Sequence, residues 1–325
     1  MEQADISVLI CTYNHEKYIG QAIESVLAQE TEYKVEIIVG DDASTDSTPV
    51  IISKYAERYP AVVPILRKCN LGATRNVYEM AQKASGKFVM GFDGDDFIWG
   101  KDRIQWQADF LETHPEYSSV CGKCRLVNEE GGPFQENSIK KIARFWQFDK
   151  EVFDWPDFER WQMPGHGSAR MSRNFWLRGN TEVIYKAHDI VGDRTALMLC
   201  LFGGPIRCVD KIASCYRIRT GSENFMSRYA KKNPRAEDVH LMRCLEEYAA
   251  SRGRKLDLSA TKKLRLVEAI CIWMKEPTER NLRVTQRIID EAENNPIYIT
   301  LAVKTLILKS YYWHTLHEDR QIEIT

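Results

Sequence analysis

The stretch Phe88-Val89-Met90-Gly91-Phe92-Asp93-Gly94-Asp95-Asp96 decides how this chain is read, because a short apolar run ends abruptly in carboxylates. A run of strand length behind Gly86, closed by polar residues, predicts a buried strand from Phe88 to Phe92. Three runs of the same kind precede it, Ile6 to Ile10, Val35 to Val39 and Val62 to Leu66. Each also meets a polar cluster: Thr12-Tyr13-Asn14, Asp41-Asp42 and Asn70-Leu71-Gly72. Between the runs lie helical patterns, Lys17 to Gln29, Thr48 to Arg58 and Ala73 to Ala84, the second opened by Ser47 ahead of Thr48-Pro49. Strand and helix in alternation predict βαβ units and a mainly parallel, Rossmann-like α/β sheet with flanking helices.

In an open α/β sheet the ligand lies outside the carboxyl ends of the strands, so one cleft can collect all four clusters. Its carboxylates repel an anion but suit a divalent cation that in turn holds phosphate oxygens. The site therefore reads as metal plus nucleotide. Asp93 and Asp95 stand two residues apart at a strand end, which points both side chains the same way, and Gly94 is expected to leave room for a diphosphate. A solvated acidic turn is the plain alternative.

The 325 residues suffice for one large domain or two smaller ones. With 45 basic and 46 acidic residues the net charge is −1, so no global field favours nucleic acid or an anionic membrane. No apolar run reaches the roughly 18 residues of a membrane-spanning helix. Met1 to Asp5 lack the basic start of a secretory signal, and nine scattered cysteines suit reduced thiols, so a cytoplasmic location is expected. Cys121-Gly122-Lys123-Cys124 is a lone CxxC without a second pair, read as two thiols near a strand end.

Farther along, the character changes. Residues 134 to 180 are rich in aromatics, which either cover the sheet or stack on sugar faces, and from about Ser227 the pattern is helical. Candidate helices are 235 to 252, 260 to 275, 278 to 294 and 297 to 315, with Asn233-Pro234 and Asn295-Pro296 as start signals. We expect a first domain over 1–228 and a helical C-terminal extension over 229–325. The segment 297–313, with Lys304 and Lys309 on an aromatic, apolar helix, is either a peripheral membrane contact or a buried or homo-oligomer-forming helix.

Taken in order, Ile6 to Asn14, Val39-Gly40-Asp41-Asp42-Ala43-Ser44-Thr45-Asp46, Asn70 to Asn76 and Phe92-Asp93-Gly94-Asp95-Asp96 resemble the motif series of family 2 glycosyltransferases. The resemblance is closest over residues 5 to 130 and continues more loosely to about Phe225. It implies a GT-A fold, a nucleotide-sugar donor, Mn²⁺ or Mg²⁺, transfer with inversion, and a role in polysaccharide biosynthesis. It assigns Asp95 the metal contact and Asp93 a donor ribose or sugar contact beside the metal. Thr12, Tyr13, Asn14, Asp41 and Asp42 fall in the donor site. There a carboxylate can accept from a uracil N3–H and Tyr13 can stack on the base, so the donor reads as a UDP-sugar; capping and ordinary packing are the plainer roles. Arg75 is in reach of base or phosphate.

The same resemblance places the catalytic base at Gly192-Asp193, with Asp189 as the rival. Arg217-Ile218-Arg219 stands where relatives carry Arg-x-His, so Arg217 and Arg219 are donor-phosphate contacts, and a guanidinium, lacking a lone pair, cannot be a metal ligand. His166, Ser168 and Trp161 fall at the acceptor side, where a glycan or lipid-linked glycan is expected. The absence of Gln-x-x-Arg-Trp argues against a processive synthase. A sugar-phosphate nucleotidyltransferase needs a basic glycine-rich loop where Thr12-Tyr13-Asn14-His15-Glu16 stands. The rival from another class is a non-catalytic nucleotide-sugar binding or scaffold module, told apart by absence of turnover.

Overall fold

The structure is a computed structural model that describes residues 3–134, 148–175, 192–219, 235–291 and 300. The chain forms two compact units: residues 1–158 with 162–221, and residues 159–161 with 222–325.

In the first unit, β1 (Ile6–Thr12), β2 (Val35–Asp41), β3 (Val62–Leu66) and β4 (Phe88–Asp93) are parallel, in the order β3-β2-β1-β4. Each begins at the residue the apolar pattern predicts. Between them run α1 (Ile19–Leu27), α2 (Thr48–Arg58) and α3 (Ala73–Ala81). Helix α1 buries Ile19, Ala22, Ile23 and Val26, a spacing of three and four that turns one face to the sheet. Ile6, Val8, Ile10, Phe88 and Met90 meet it in one continuous core, where each large side chain contributes about 1.5–3 kcal/mol by leaving water.

The sheet then turns mixed. After β5 (Phe97–Ile98) and α4 (Arg103–Thr113) come β6 (Ser119–Val127), the two-residue β7 (Val152–Phe153), the short α5 (Trp155–Glu159), β8 (Arg170–Arg173), α6 (Asp193–Leu201) and β9 (Ile206–Arg217). Among the described residues the sheet order continues β4-β8-β6-β9-β5, with β7 on β9. Strand β8 is antiparallel to both β4 and β6, while β9 is parallel to β6. The start of β8 and the end of β9 therefore lie at the edge where β1 to β4 end. Phe153 and Phe158 are fully buried and Trp155 nearly so, so these members of the aromatic band are core. Cys121 and Cys124 lie inside β6 rather than at its end, and all nine cysteines are free thiols.

The second unit contains α7 (Arg235–Ser251), α8 (Ser259–Lys275) and α9 (Glu279–Glu291), close to three of the helices read from the pattern. Ala236, Val239, Leu266, Val267, Val284 and Ile288 form its own core. The segment 297–313 lies outside the described residues, Thr300 apart, as does Asp189. No helix among the described residues is long and apolar enough to cross a membrane.

Candidate functional site

Strand register lines up the carboxyl ends. Thr12 pairs with Asp41, Asp41 with Leu66, and Cys11 with Asp93, so the polar clusters of β1, β2 and β4 stand side by side. The loops after β1 and β2 are stitched together: Asn14 N–H donates to Ser44 Oγ at 2.8 Å and Thr45 N–H to Asn14 Oδ1 at 2.8 Å. Asn14 and Ala43 both take positive φ, 55° and 61°, in these turns. Tyr13 is left 45 % exposed at the rim, while Thr12 is buried and its Oγ1 has no partner.

Asp41 and Asp42 are nearly inaccessible and brace their surroundings. Asp41 accepts from Ser44 N–H and Oγ–H. The two oxygens of Asp42 take the N–H groups of Leu71 and Gly72 at 2.8 and 2.9 Å, which fixes the entry to α3. On that helix Arg75 is ion-paired to Glu79 at 3.1 Å and lines an open groove of about 760 Å³ with Thr74, Tyr78 and Lys83. Leu71, whose N–H is held by Asp42, also lines this groove.

The Asp93 to Asp96 turn is the electrostatic centre. Asp93 is exposed as a residue, yet burial of its carboxyl, then the charges of Asp95 and Asp193, raise it to about 7. Asp96 is buried, accepts from Arg217 N–H at 2.9 Å, and is held well above the carboxylate range by burial and by Asp95 and Asp93. Asp95 faces a guanidinium and an imidazole: Oδ2 lies 3.1 Å from Arg219 Nε and 3.7 Å from His15 Nε2. Burial lowers the pKa of His15, against the pull of Asp95.

Gly94 has a different reason from the one expected. A Cβ there would come 2.7 Å from Thr12 Oγ1 and 3.1 Å from His15 Nδ1, so the missing side chain lets the turn close onto β1 rather than opening space for a diphosphate. Arg217 is likewise a positioning residue. Its guanidinium donates to Asp95 O at 2.7 Å, to Glu129 O and to Gln21 Oε1 at 2.6 Å, and stacks over Tyr18. It straps the end of β9 to the acidic turn, leaving Arg219 as the arginine beside Asp95.

Asp193 opens α6 on the exposed side of that helix, in reach of Asp93 by its effect on that carboxyl. Its Oδ1 rests against the turn Gly167–Ala169, 2.7 Å from where a Cβ on Gly167 would stand. In that turn His166 Nδ1 shares a hydrogen bond with Ser168 Oγ at 2.6 Å, and Ser168 Oγ meets Ser214 Oγ at 2.8 Å. Ser168 is buried, which suits holding the turn rather than touching an acceptor. Trp161, at φ 59°, clusters with the helical unit. Sequence reasoning missed His15 and Gly167; only the position of His15 directly after Thr12-Tyr13-Asn14 was a signal, since both owe their place to long-range packing.

Among the described residues no three His, Cys, Asp or Glu side chains converge as a ready-made metal site. Asp93 and Asp95 nonetheless fit a hard divalent cation of the Mg²⁺ type, which takes one or two carboxylates and completes its shell with phosphate oxygens and water. Burial, then the charges of Asp95 and Asp193, disfavour the Asp93 anion, and a cation at this position would oppose both.

With this geometry in place, the comparisons agree. Residues 7–178 match glycosyl transferase family 2. The chain belongs to that family. It is 38 % identical over 222 residues to the uncharacterised protein Rv1520 of Mycobacterium tuberculosis, a match covering 65 % of this chain and 58 % of that protein. The chain thus spans somewhat over half the length of the curated relatives it matches first. Staphylococcus aureus TarS 1-349, solved in complex with UDP-GlcNAc, superposes with a TM-score of 0.53 at 18 % identity, covering 89 % of this chain and 92 % of that one. The mannosyltransferase PcManGT from Pyrobaculum calidifontis, solved with GDP-Man and Mn²⁺, gives a TM-score of 0.50 at 16 % identity, covering 98 % and 89 %. The mostly parallel sheet with flanking helices is a GT-A fold, and a helical region follows it.

Proposed function

We propose that this chain is a metal-assisted, inverting glycosyltransferase that moves a sugar from a nucleotide-sugar donor, a UDP-sugar, to a hydroxyl of a glycan or lipid-linked glycan. The observation that carries the reading is the meeting of Asp93, Asp95 and Asp193 at one edge of the sheet, where burial first, and then the charges of Asp95 and Asp193, raise the Asp93 carboxyl to about 7. Support for the donor comes from family membership and from the nucleotide sugars bound by TarS and PcManGT.

Asp93 and Asp95 would hold Mn²⁺ or Mg²⁺, which supplies electrostatic stabilisation of the charge that develops on a departing diphosphate. Tyr13 and Asn14 form the rim for the nucleoside, with Tyr13 as the exposed ring and Thr12 buried behind them, and Asp41 and Asp42 stiffen the loops around it. Arg75, at the outer groove, is the least directly placed of the donor residues. On the other side Asp193 takes the proton of the acceptor hydroxyl as its oxygen bonds to the sugar carbon and the bond from that carbon to the phosphate oxygen breaks. Asp193 stands exposed in the first turn of α6, where an acceptor hydroxyl can reach its carboxylate.

The test is turnover against a panel of nucleotide sugars with Mn²⁺, with hydrolysis of the donor as the readout when the acceptor is unknown. Asp193→Asn keeps the shape but cannot take a proton, so turnover should fall by about 10² to 10⁴ while donor affinity holds. Donor binding without turnover for every sugar would instead support a non-catalytic binding module. A normal rate for Asp193→Asn would remove that residue as the base.

A further inference from the structure

Asp95 Oδ2 is shared by two neighbours of different character. The permanent positive charge on that oxygen is the Arg219 guanidinium, 3.1 Å away. Both side chains of the ion pair are largely shielded, 24 % exposed for Arg219 and 15 % for Asp95, so water screens the contact only in part. The backbone around it is held: Arg217, two residues before Arg219, is strapped to the carbonyl of Asp95 and to the carboxylate of Asp96. The β9 end thus delivers a fixed cation to the carboxylate that the proposed function gives to a metal.

A divalent cation cannot settle on this oxygen beside the guanidinium without strong repulsion, and the guanidinium has no lone pair to join the coordination shell. The metal and Arg219 therefore compete for Asp95 in the free protein. A diphosphate changes the balance, because its oxygens offer the planar guanidinium a bidentate partner of the same sign as the carboxylate it gives up.

We propose that Arg219 is a resident counter-ion that makes metal binding conditional on the nucleotide: the cation enters together with a nucleoside diphosphate, and Arg219 moves from Asp95 to the phosphates. The proposal rests on the donor reading above and goes beyond it by fixing the order of assembly. It also gives a reason for arginine at a position where the resemblance leads one to expect histidine, since histidine would assist a bare metal and arginine opposes it.

Mn²⁺ binding to the full chain can be read directly from the loss of the free hydrated Mn²⁺ signal in electron paramagnetic resonance, with and without UDP. The wild-type protein should bind Mn²⁺ alone weakly and at least about tenfold more tightly with UDP. Arg219→Ala should gain about tenfold for Mn²⁺ alone and lose UDP affinity, reversing the conditionality. Arg219→Lys keeps the charge and should stay near wild type for Mn²⁺ alone, which separates charge from a general loosening of the turn; thermal unfolding checks that both variants fold. Arg219→Ala binding Mn²⁺ alone no better than wild type would overturn the proposal. Failure of the wild type to bind UDP with Mn²⁺ would instead sink the donor reading, and the two failures are read in separate arms.

Discussion

His166 sets its ring against Tyr216, with centroids 4.9 Å apart, and shares Nδ1 with Ser168. Burial is the main force on its titration and holds it below the ordinary 6.5, with Asp193 pulling it up and Arg170 pushing it down. The sign follows directly. Below pH 6.5 the unfolded chain binds a proton that the folded chain resists, so the stability contributed by neutral His166 is present above 6.5 and lost on acidification. The loss cannot exceed about 1.4 kcal/mol per pH unit for this one group, and partial solvent access keeps it smaller. His166→Gln removes the titration while leaving an acceptor for Ser168. Denaturant unfolding between about pH 7.5 and 5 should show a shallower pH slope in the variant. Equal slopes would mean that His166 titrates normally in the fold.

The turn Gly167–Ala169 links β8 to Asp193 and is the element on which the proposed base rests. It is held from below by Gln107, whose side-chain amide donates to Ala169 O at 3.0 Å and which accepts from the buried Arg103. In Gly167→Ala the new Cβ must displace Asp193 Oδ1 by several tenths of an ångström from a 2.7 Å approach. Misplacing a catalytic group by that order costs up to about 10² in rate, so turnover should drop about ten- to a hundredfold with donor affinity unchanged. Wild-type turnover in Gly167→Ala would show that Asp193 does not work from this position. In the sequence His166 and Ser168 stood out at the acceptor side, but neither the turn nor its contact with Asp193 was legible. The strands β1 to β4 were, because each is a buried apolar run between helices of clear period; β8, Arg170-Met171-Ser172-Arg173, is four residues long with Met171 its one apolar residue, too little to announce a strand. Its place between β4 and β6 comes from antiparallel pairing across a long sequence separation.

At the scale of the molecule, a chain with net charge −1 concentrates its field at one sheet edge, where Asp93, Asp95 and Asp96 meet and are answered by Arg217, Arg219 and His15. The location of that edge was legible, since β-strand ends followed by acids name it. The division of labour among its residues was not: Asp93 and Asp95 were read from spacing, but the roles of Arg217 as strap and Arg219 as counter-ion depend on β9 returning beside β6 and β5, and that of Gly94 as the contact with Thr12 on β4 pairing with β1. The helical unit was legible as three amphipathic segments, each burying apolar positions three or four apart. The central claim is that Asp95 carries a metal that carries the donor diphosphate. Calorimetric titration of UDP into the protein with Mn²⁺, with chelator, and into Asp95→Asn with Mn²⁺ tests it most directly. The account predicts a dissociation constant weakened at least about tenfold by chelator and by Asp95→Asn alike, with no further loss when the two are combined. Equal UDP affinity in all three titrations would contradict it.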